Sequence, residues 1–246
     1  MRAQLERVLS DFDNDDELLV YADMLTQWGN PLGKFIALQM LAEPTKQQLG
    51  NALQFAQKHR SALAGALDEF VARKDRGYAR GFLTRCRLKR SASLADLVAV
   101  SGSRSLLELD LSHNRTVKLR LLRTLKQLNV LYLDYTTITS LENLARLTAL
   151  THLDLRGCKT SNLAPLAGLP KLSYLGLAET NVRDLRPLAN LSGIEHLDLA
   201  NTRVIDLAPL TGLTKLVGLD LRGTQVDISQ FEMLQKSLNG QVSVRH

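Results

Sequence analysis

The residues best placed to do chemistry are two identical strand-like tripeptides, His152-Leu153-Asp154 and His196-Leu197-Asp198. A histidine two residues before an aspartate, on one face of an extended segment, suits general-base or metal-ligand work. The pairs lie two rungs of a repeat apart, however, about 10 Å at ordinary strand spacing. A shared metal needs ligands about 2 Å from one centre, so no joint zinc site is expected. No serine or cysteine nucleophile accompanies either pair, and no phosphate loop or dinucleotide fingerprint occurs. Cys86 and Cys158 make neither a disulfide framework nor a zinc set. The acids Asp11, Asp13 and Asp15 lack the glycine and terminal glutamate of a calcium loop and are read as helix-capping residues. The expectation is a protein without enzymatic activity, metal or cofactor.

The second cluster is a basic run, Arg73, Lys74, Arg76, Arg80, Arg85, Arg87, Lys89 and Arg90. Residues 61–126 carry 14 basic and 6 acidic groups, whereas 1–60 carry 6 and 8, and 127–246 are balanced. Such a run can contact phosphates. It has only Tyr78 and Phe82 among it and no nucleic-acid motif around it. A solvated, partly ion-paired junction is the preferred reading, with Arg85, Arg87, Lys89 and Arg90 as the alternative nucleic-acid or anionic-surface site.

The elements that carry these residues follow from an internal repeat. Leu-x-Leu recurs at Leu109/Leu111, Leu131/Leu133, Leu153/Leu155, Leu175/Leu177, Leu197/Leu199 and Leu219/Leu221, always 22 residues apart. An apolar residue precedes each copy by three positions (Leu106, Leu128, Leu150, Leu172, Ile194, Leu216). The period-2 end predicts a short strand with leucines inward. A downstream period-3 set, such as Leu163, Leu166 and Leu169, predicts a 3₁₀ or short helical turn on the opposite side. Asp184 and Asp206 stand where turns begin, suited to capping, and Pro165, Pro187 and Pro209 sit where a missing N–H costs little. One unit cannot bury its own apolar side, but a stack shares a leucine core. The expected fold is an α/β solenoid with a parallel concave sheet, over residues 78–246. A degenerate first unit (Leu83, Cys86, Leu88, then a helix from Leu94) and a final helix and strand (Ile228–Leu238, Val242, Val244) close its ends.

The pattern LTKLVGLDLRGTQV, with LAPLTGL in the preceding turn, resembles the 22-residue, internalin-like leucine-rich repeat family. The family usually places Asn three residues after the second strand leucine, where its amide bonds neighbouring backbones in a ladder. This chain has Asn114 once, then Thr136, Cys158, Thr180, Thr202 and Thr224, which implies a weaker ladder and an interior Cys158.

Residues 1–77 hold no repeat and read as a small helical domain, with helices near Leu5–Leu9, Asp15–Trp28, Lys34–Ala42, Lys46–Lys58 and Ser61–Arg73. Within it, Tyr21, Ala22, Asp23, Leu25, Gly29, Pro31, Gly33, Phe35, Ile36, Leu38 and Gln39 resemble the bacterial repeat-companion domain. Met24 and Asn30 replace that family's Trp and Asp. The resemblance implies a bacterial origin and repeats downstream, not an activity.

If the leucines point inward, the intervening residues form a concave face. Its rows are Arg85, Glu108, Val130, His152, Tyr174, His196, Gly218; then Arg87, Asp110, Tyr132, Asp154, Gly176, Asp198, Asp220; then Lys89, Ser112, Asp134, Arg156, Ala178, Ala200, Arg222. Tyr135 and Glu179 follow at the edge. Tyrosine is enriched at interface hot spots. The expected partner-binding set is Tyr132, Asp134, Tyr135, His152, Asp154, Arg156, Tyr174, His196, Asp198, Asp220 and Arg222, with a gap at Gly176 and Ala178 beside Tyr174 to receive a partner side chain. An adaptor that binds an unidentified protein is the expected function, and a regulator or inhibitor of a specific enzyme uses the same face. With 246 residues, 45% hydrophobic and 23% charged, a net charge of +6, no spanning apolar stretch and acids in place of a signal-peptide core, the chain is expected to be globular, monomeric and cytoplasmic.

Overall fold

The computed structural model describes residues 15–30, 33, 34, 36, 37, 71–79, 82–90, 92–99 and 106–245. The expected helices at 5–9 and 46–58, and all but the end of that at 61–73, lie outside these residues. The chain divides into two compact units, Met1–Leu107 and Glu108–His246.

In the first unit, helix α1 (Asp15–Gln27) buries Tyr21, Ala22 and Leu25 on one face and leaves Leu19 exposed. It ends where Gly29 takes a left-handed φ of 68° and the Asn30 N–H reaches back to the Leu25 carbonyl. Gly33 has no room for a side chain, because a Cβ there would strike the Ala22 carbonyl and Thr26 of α1. The expected helix to Arg73 is corrected at its end: Val71–Ala79 is strand β1, antiparallel to β2 (Phe82–Leu88). Helix α2 (Leu94–Ala99) buries Leu94 and Leu97. The degenerate repeat read from Leu83 onward falls in this unit.

The second unit is the solenoid. Its strands are β3 (Glu108–Asp110), β4 (Val130–Tyr132), β5 (His152–Asp154), β6 (Tyr174–Gly176), β7 (His196–Asp198), β8 (Gly218–Asp220) and β9 (Ser243–Arg245). Each pairs in parallel with the next, and from β3 to β8 the register shift is the 22-residue repeat itself, as in Leu131↔Leu153. The sheet is open and curved. Opposite it run 3₁₀ turns at Leu119–Thr124, Glu142–Leu144, Ala164–Gly168, Arg186–Leu188 and Ala208–Leu210. Proline lies in the first turn of the last three, where no N–H is lost from the ladder. Asn162, Asp184 and Asp206 accept the N–H two residues on, at 2.8–3.0 Å, as turn-opening caps.

Both leucines of every pair are at most 4% exposed, and the turn leucines join them in one continuous aliphatic core. Thr180, Thr202 and Thr224 are donors, each Oγ1 bonding the carbonyl three residues back within its own repeat, at 2.6, 2.7 and 2.6 Å. Cys158 alone of the threonine-like positions reaches the preceding repeat, its Sγ donating to the Leu133 carbonyl and lying 3.2 Å from Thr136 Oγ1. Helix α3 (Ile228–Ser237), capped by Asp227, and β9 follow the last regular repeat, and Leu234, Leu238 and Val242 are buried there.

Candidate functional site

The concave face is built from strands only three residues long, so one side chain before and one after each buried leucine faces outward. The residue after the leucine is Asp in four of the six regular repeats. Each of these carboxylates accepts the main-chain N–H two residues on: Asp110 from Ser112, Asp154 from Arg156, Asp198 from Ala200 and Asp220 from Arg222, at 2.8–3.2 Å. The aspartate stops the strand by satisfying the first N–H of the bend. This structural duty was missed in the sequence, although its signal, Leu-Asp-Leu in four copies, was present.

His152, Tyr174 and His196, each just before its leucine, form an aromatic column, which Tyr132 joins from the position after the leucine of the preceding strand. The His152 ring stacks on Tyr174 at 4.0 Å and 3°, and Tyr132 tilts onto His152 at 5.2 Å and 58°. His196 follows in register and leans over Gly218, where a Cβ would meet its Nδ1. Burial pushes the His152 imidazole below its ordinary value and the Tyr174 phenol above its own. The Asp154 carboxyl is raised by burial and by Asp134 and Asp198, against the opposing Arg156 N–H bond and charge.

A second column lies at the sheet edge. His113, Tyr135, Gly157, Glu179, Asn201 and Gly223, again 22 residues apart, all have φ between 53° and 69°. Four of these are not glycine, in a conformation that costs a non-glycine residue about 1–3 kcal/mol. The backbone there still extends the ladder, since Tyr135 N–H bonds the Arg156 carbonyl and Glu179 N–H that of Ala200. His113 and Tyr135 stack at 5.2 Å and 6°, the Tyr135 ring covers Gly157, and its hydroxyl donates to Glu179, which also takes the Arg156 Nε–H at 3.1 Å.

The structure thus brings Tyr132, His152, Tyr174 and His196 into one column, and Tyr135 and Arg156 into the edge cluster. Asp134 accepts a hydrogen bond from the Ser112 hydroxyl and faces His113 at 3.7 Å. Arg222 grips Asp220 through Nε and Nη2 at 2.7–3.1 Å, which holds that carboxyl below the usual range. Two expectations are corrected. Ala178 and Ala200 are buried, at 0% and 3% exposed, because alternation ends with the third strand residue. The gap beside Tyr174 is filled by the Asp154 carboxyl, which sits 2.6 Å from where a Gly176 Cβ would be. The open hollow, about 350 Å³, lies one repeat further on, lined by Tyr174, His196, Asp198, Gly218, Asp220 and Arg245. Arg85, Arg87 and Arg90 are exposed on and just after β2, and Lys89 is half-buried. No group of three or more His, Cys, Asp or Glu residues that could hold a metal occurs among the described residues.

No family model and no curated protein matches the chain. Solved structures do. Internalin C2 of Listeria monocytogenes is 32% identical, over 62% of this chain and 65% of its own, with a TM-score of 0.54. The internalin InlF of the same organism is 24% identical, over 77% and 54%, at 0.54. A leucine-rich repeat protein of Leptospira interrogans is 19% identical, over 65% and 46%, at 0.51. The matched region spans less than two thirds of each of these chains. With the 22-residue register, inward leucine pairs and 3₁₀ backs already described, residues 108–245 are an internalin-like leucine-rich-repeat solenoid.

Proposed function

We propose that this solenoid is a non-catalytic adaptor that binds another protein on its concave face. The observation that carries the reading is the column of Tyr132, His152, Tyr174 and His196. Tyr132, His152 and Tyr174 are half-buried rings in mutual contact with polar tips, and the exposed His196 beyond them borders a hollow edged by Asp198 and Asp220. Rings already held by stacking lose little conformational freedom on binding, which favours them as anchors. Asp154 and Asp198 flank them and suit a partner with a basic or mixed surface. Tyr135, Asp134, Arg156 and Arg222 form the rim. The free, buried thiols Cys86 and Cys158 accord with a reducing, cytoplasmic setting.

Affinity capture with the full chain and with Tyr132→Ala plus Tyr174→Ala tests the reading. A specific protein retained by the parent and lost from the folded double variant is the expected result. Identical retention by both variants refutes the concave-face assignment.

A further inference from the structure

We propose that the outer turn of the first regular repeat, on the opposite side of the solenoid from the aromatic column, binds the phosphate backbone of nucleic acid. Between Leu111 and Leu133 there is no acid, but there are five cations: Arg115, Lys118, Arg120, Arg123 and Lys126. All five are exposed, and among the described residues none of their side chains is ion-paired or hydrogen-bonded. The 3₁₀ turn Leu119–Thr124 buries Leu119 and Leu122, with Leu125 buried just after it. In such a turn side chains three apart eclipse, and the rise is about 2.0 Å per residue. Arg120 and Arg123 therefore project in one direction from points about 6 Å apart, flanked by Lys118 and Lys126.

The solenoid does not need these charges. At the positions of Arg120 and Arg123 the other repeats have Glu142 and Ala145, Ala164 and Ala167, Arg186 and Ala189, and Ala208 and Thr211. Arg186, the one other cation there, is held by Asp184 through two nitrogens. The first turn also lacks the proline of the last three. An array of like charges three residues apart is self-repelling, and a polyanion relieves it.

The chemistry selects the occupant. Guanidinium forks match phosphate oxygens in bidentate fashion. The turn has no aromatic ring on which a base could stack, so the contact is to backbone and indifferent to sequence. None of the large exposed hydrophobic side chains lies on it, which disfavours a lipid surface, where an apolar face is needed.

The test is fluorescence anisotropy of the full chain with a labelled duplex of about 20 base pairs, from about 50 to 200 mM salt, where each phosphate contact contributes about −0.9 to the slope of log K on log salt. Arg120→Gln plus Arg123→Gln is expected to reduce the slope by about two units and the affinity at least about tenfold. Arg85→Gln plus Arg87→Gln is expected to leave both unchanged, and circular dichroism verifies the fold of each variant. The proposal is overturned by absence of binding at low salt, by equal binding of the Arg120/Arg123 variant, or by loss of binding only in the Arg85/Arg87 variant. Tighter association with phosphatidylserine vesicles than with the duplex also overturns it. The Tyr132/Tyr174 variant should bind the duplex normally, so this result is independent of the concave-face reading.

Discussion

Thr160 occupies a position filled by Ile138, Val182 and Val204 in the neighbouring repeats, is fully buried, and its hydroxyl has no hydrogen-bond partner. A buried, unsatisfied hydroxyl costs about 1–3 kcal/mol, and valine has nearly the same shape without it. Thr160→Val should raise the stability of the repeat unit by about 1 kcal/mol, read as a higher urea midpoint at unchanged m. His152 leads to a pH prediction. Its folded pKa lies below the ordinary 6.5 because burial disfavours the imidazolium. Just below pH 6.5 the unfolded chain therefore binds more protons than the folded one, and stability falls as the solution is acidified through that region. In His152→Gln the decline between about pH 7 and pH 5.5 should be shallower, and an unchanged slope would remove His152 as its source.

At the scale of the element, the repeated unit is a three-residue strand, a left-handed corner and a 3₁₀ turn. The strand and turn were legible in the sequence, because leucine spacing of two and then three reports which side of the backbone is buried. The corner was not. Its handedness has a residue signature at Gly157, Gly223 and, more weakly, Asn201, whereas Tyr135 and Glu179 gave no hint of it. The aspartates were read as acids offered to a partner, since residue type does not reveal that the N–H two residues later turns back to meet them. Strand β1 was missed because its sequence, VARKDRGYA, has no apolar alternation. The corner also makes a prediction. Gly157→Ala places a side chain in left-handed backbone and 2.5 Å from the Tyr135 ring. A loss of about 1–3 kcal/mol is expected, measurable by denaturant unfolding. The same change with Tyr135→Gly should recover part of it, because the ring that obstructs the methyl is gone.

Across the whole chain, the solenoid was the most legible part, since a repeat reports its own register; among the described residues of the first unit the helix Asp15–Gln27 was legible and strand β1 was not. The solenoid core is held by contacts between adjacent repeats, so damage at a central rung weakens two interfaces at once. Leu153, fully buried in β5, has rungs on both sides. Leu153→Ala should cost about 2–5 kcal/mol. Leu234→Ala, in the terminal helix, should cost less, as judged by the two thermal transitions.

The unbroken 22-residue register has a consequence for how such a chain changes over generations. Copying or excising one whole unit in frame leaves every surviving side chain on the wall it occupied before. A loss of 151–172, for instance, would set the Tyr132 rung directly beside the Tyr174 rung, on an intact but shorter scaffold. Recombination can thus retune which rings are neighbours without first destroying the fold, whereas an insertion of a single residue within a strand would turn the leucine beyond it out into water.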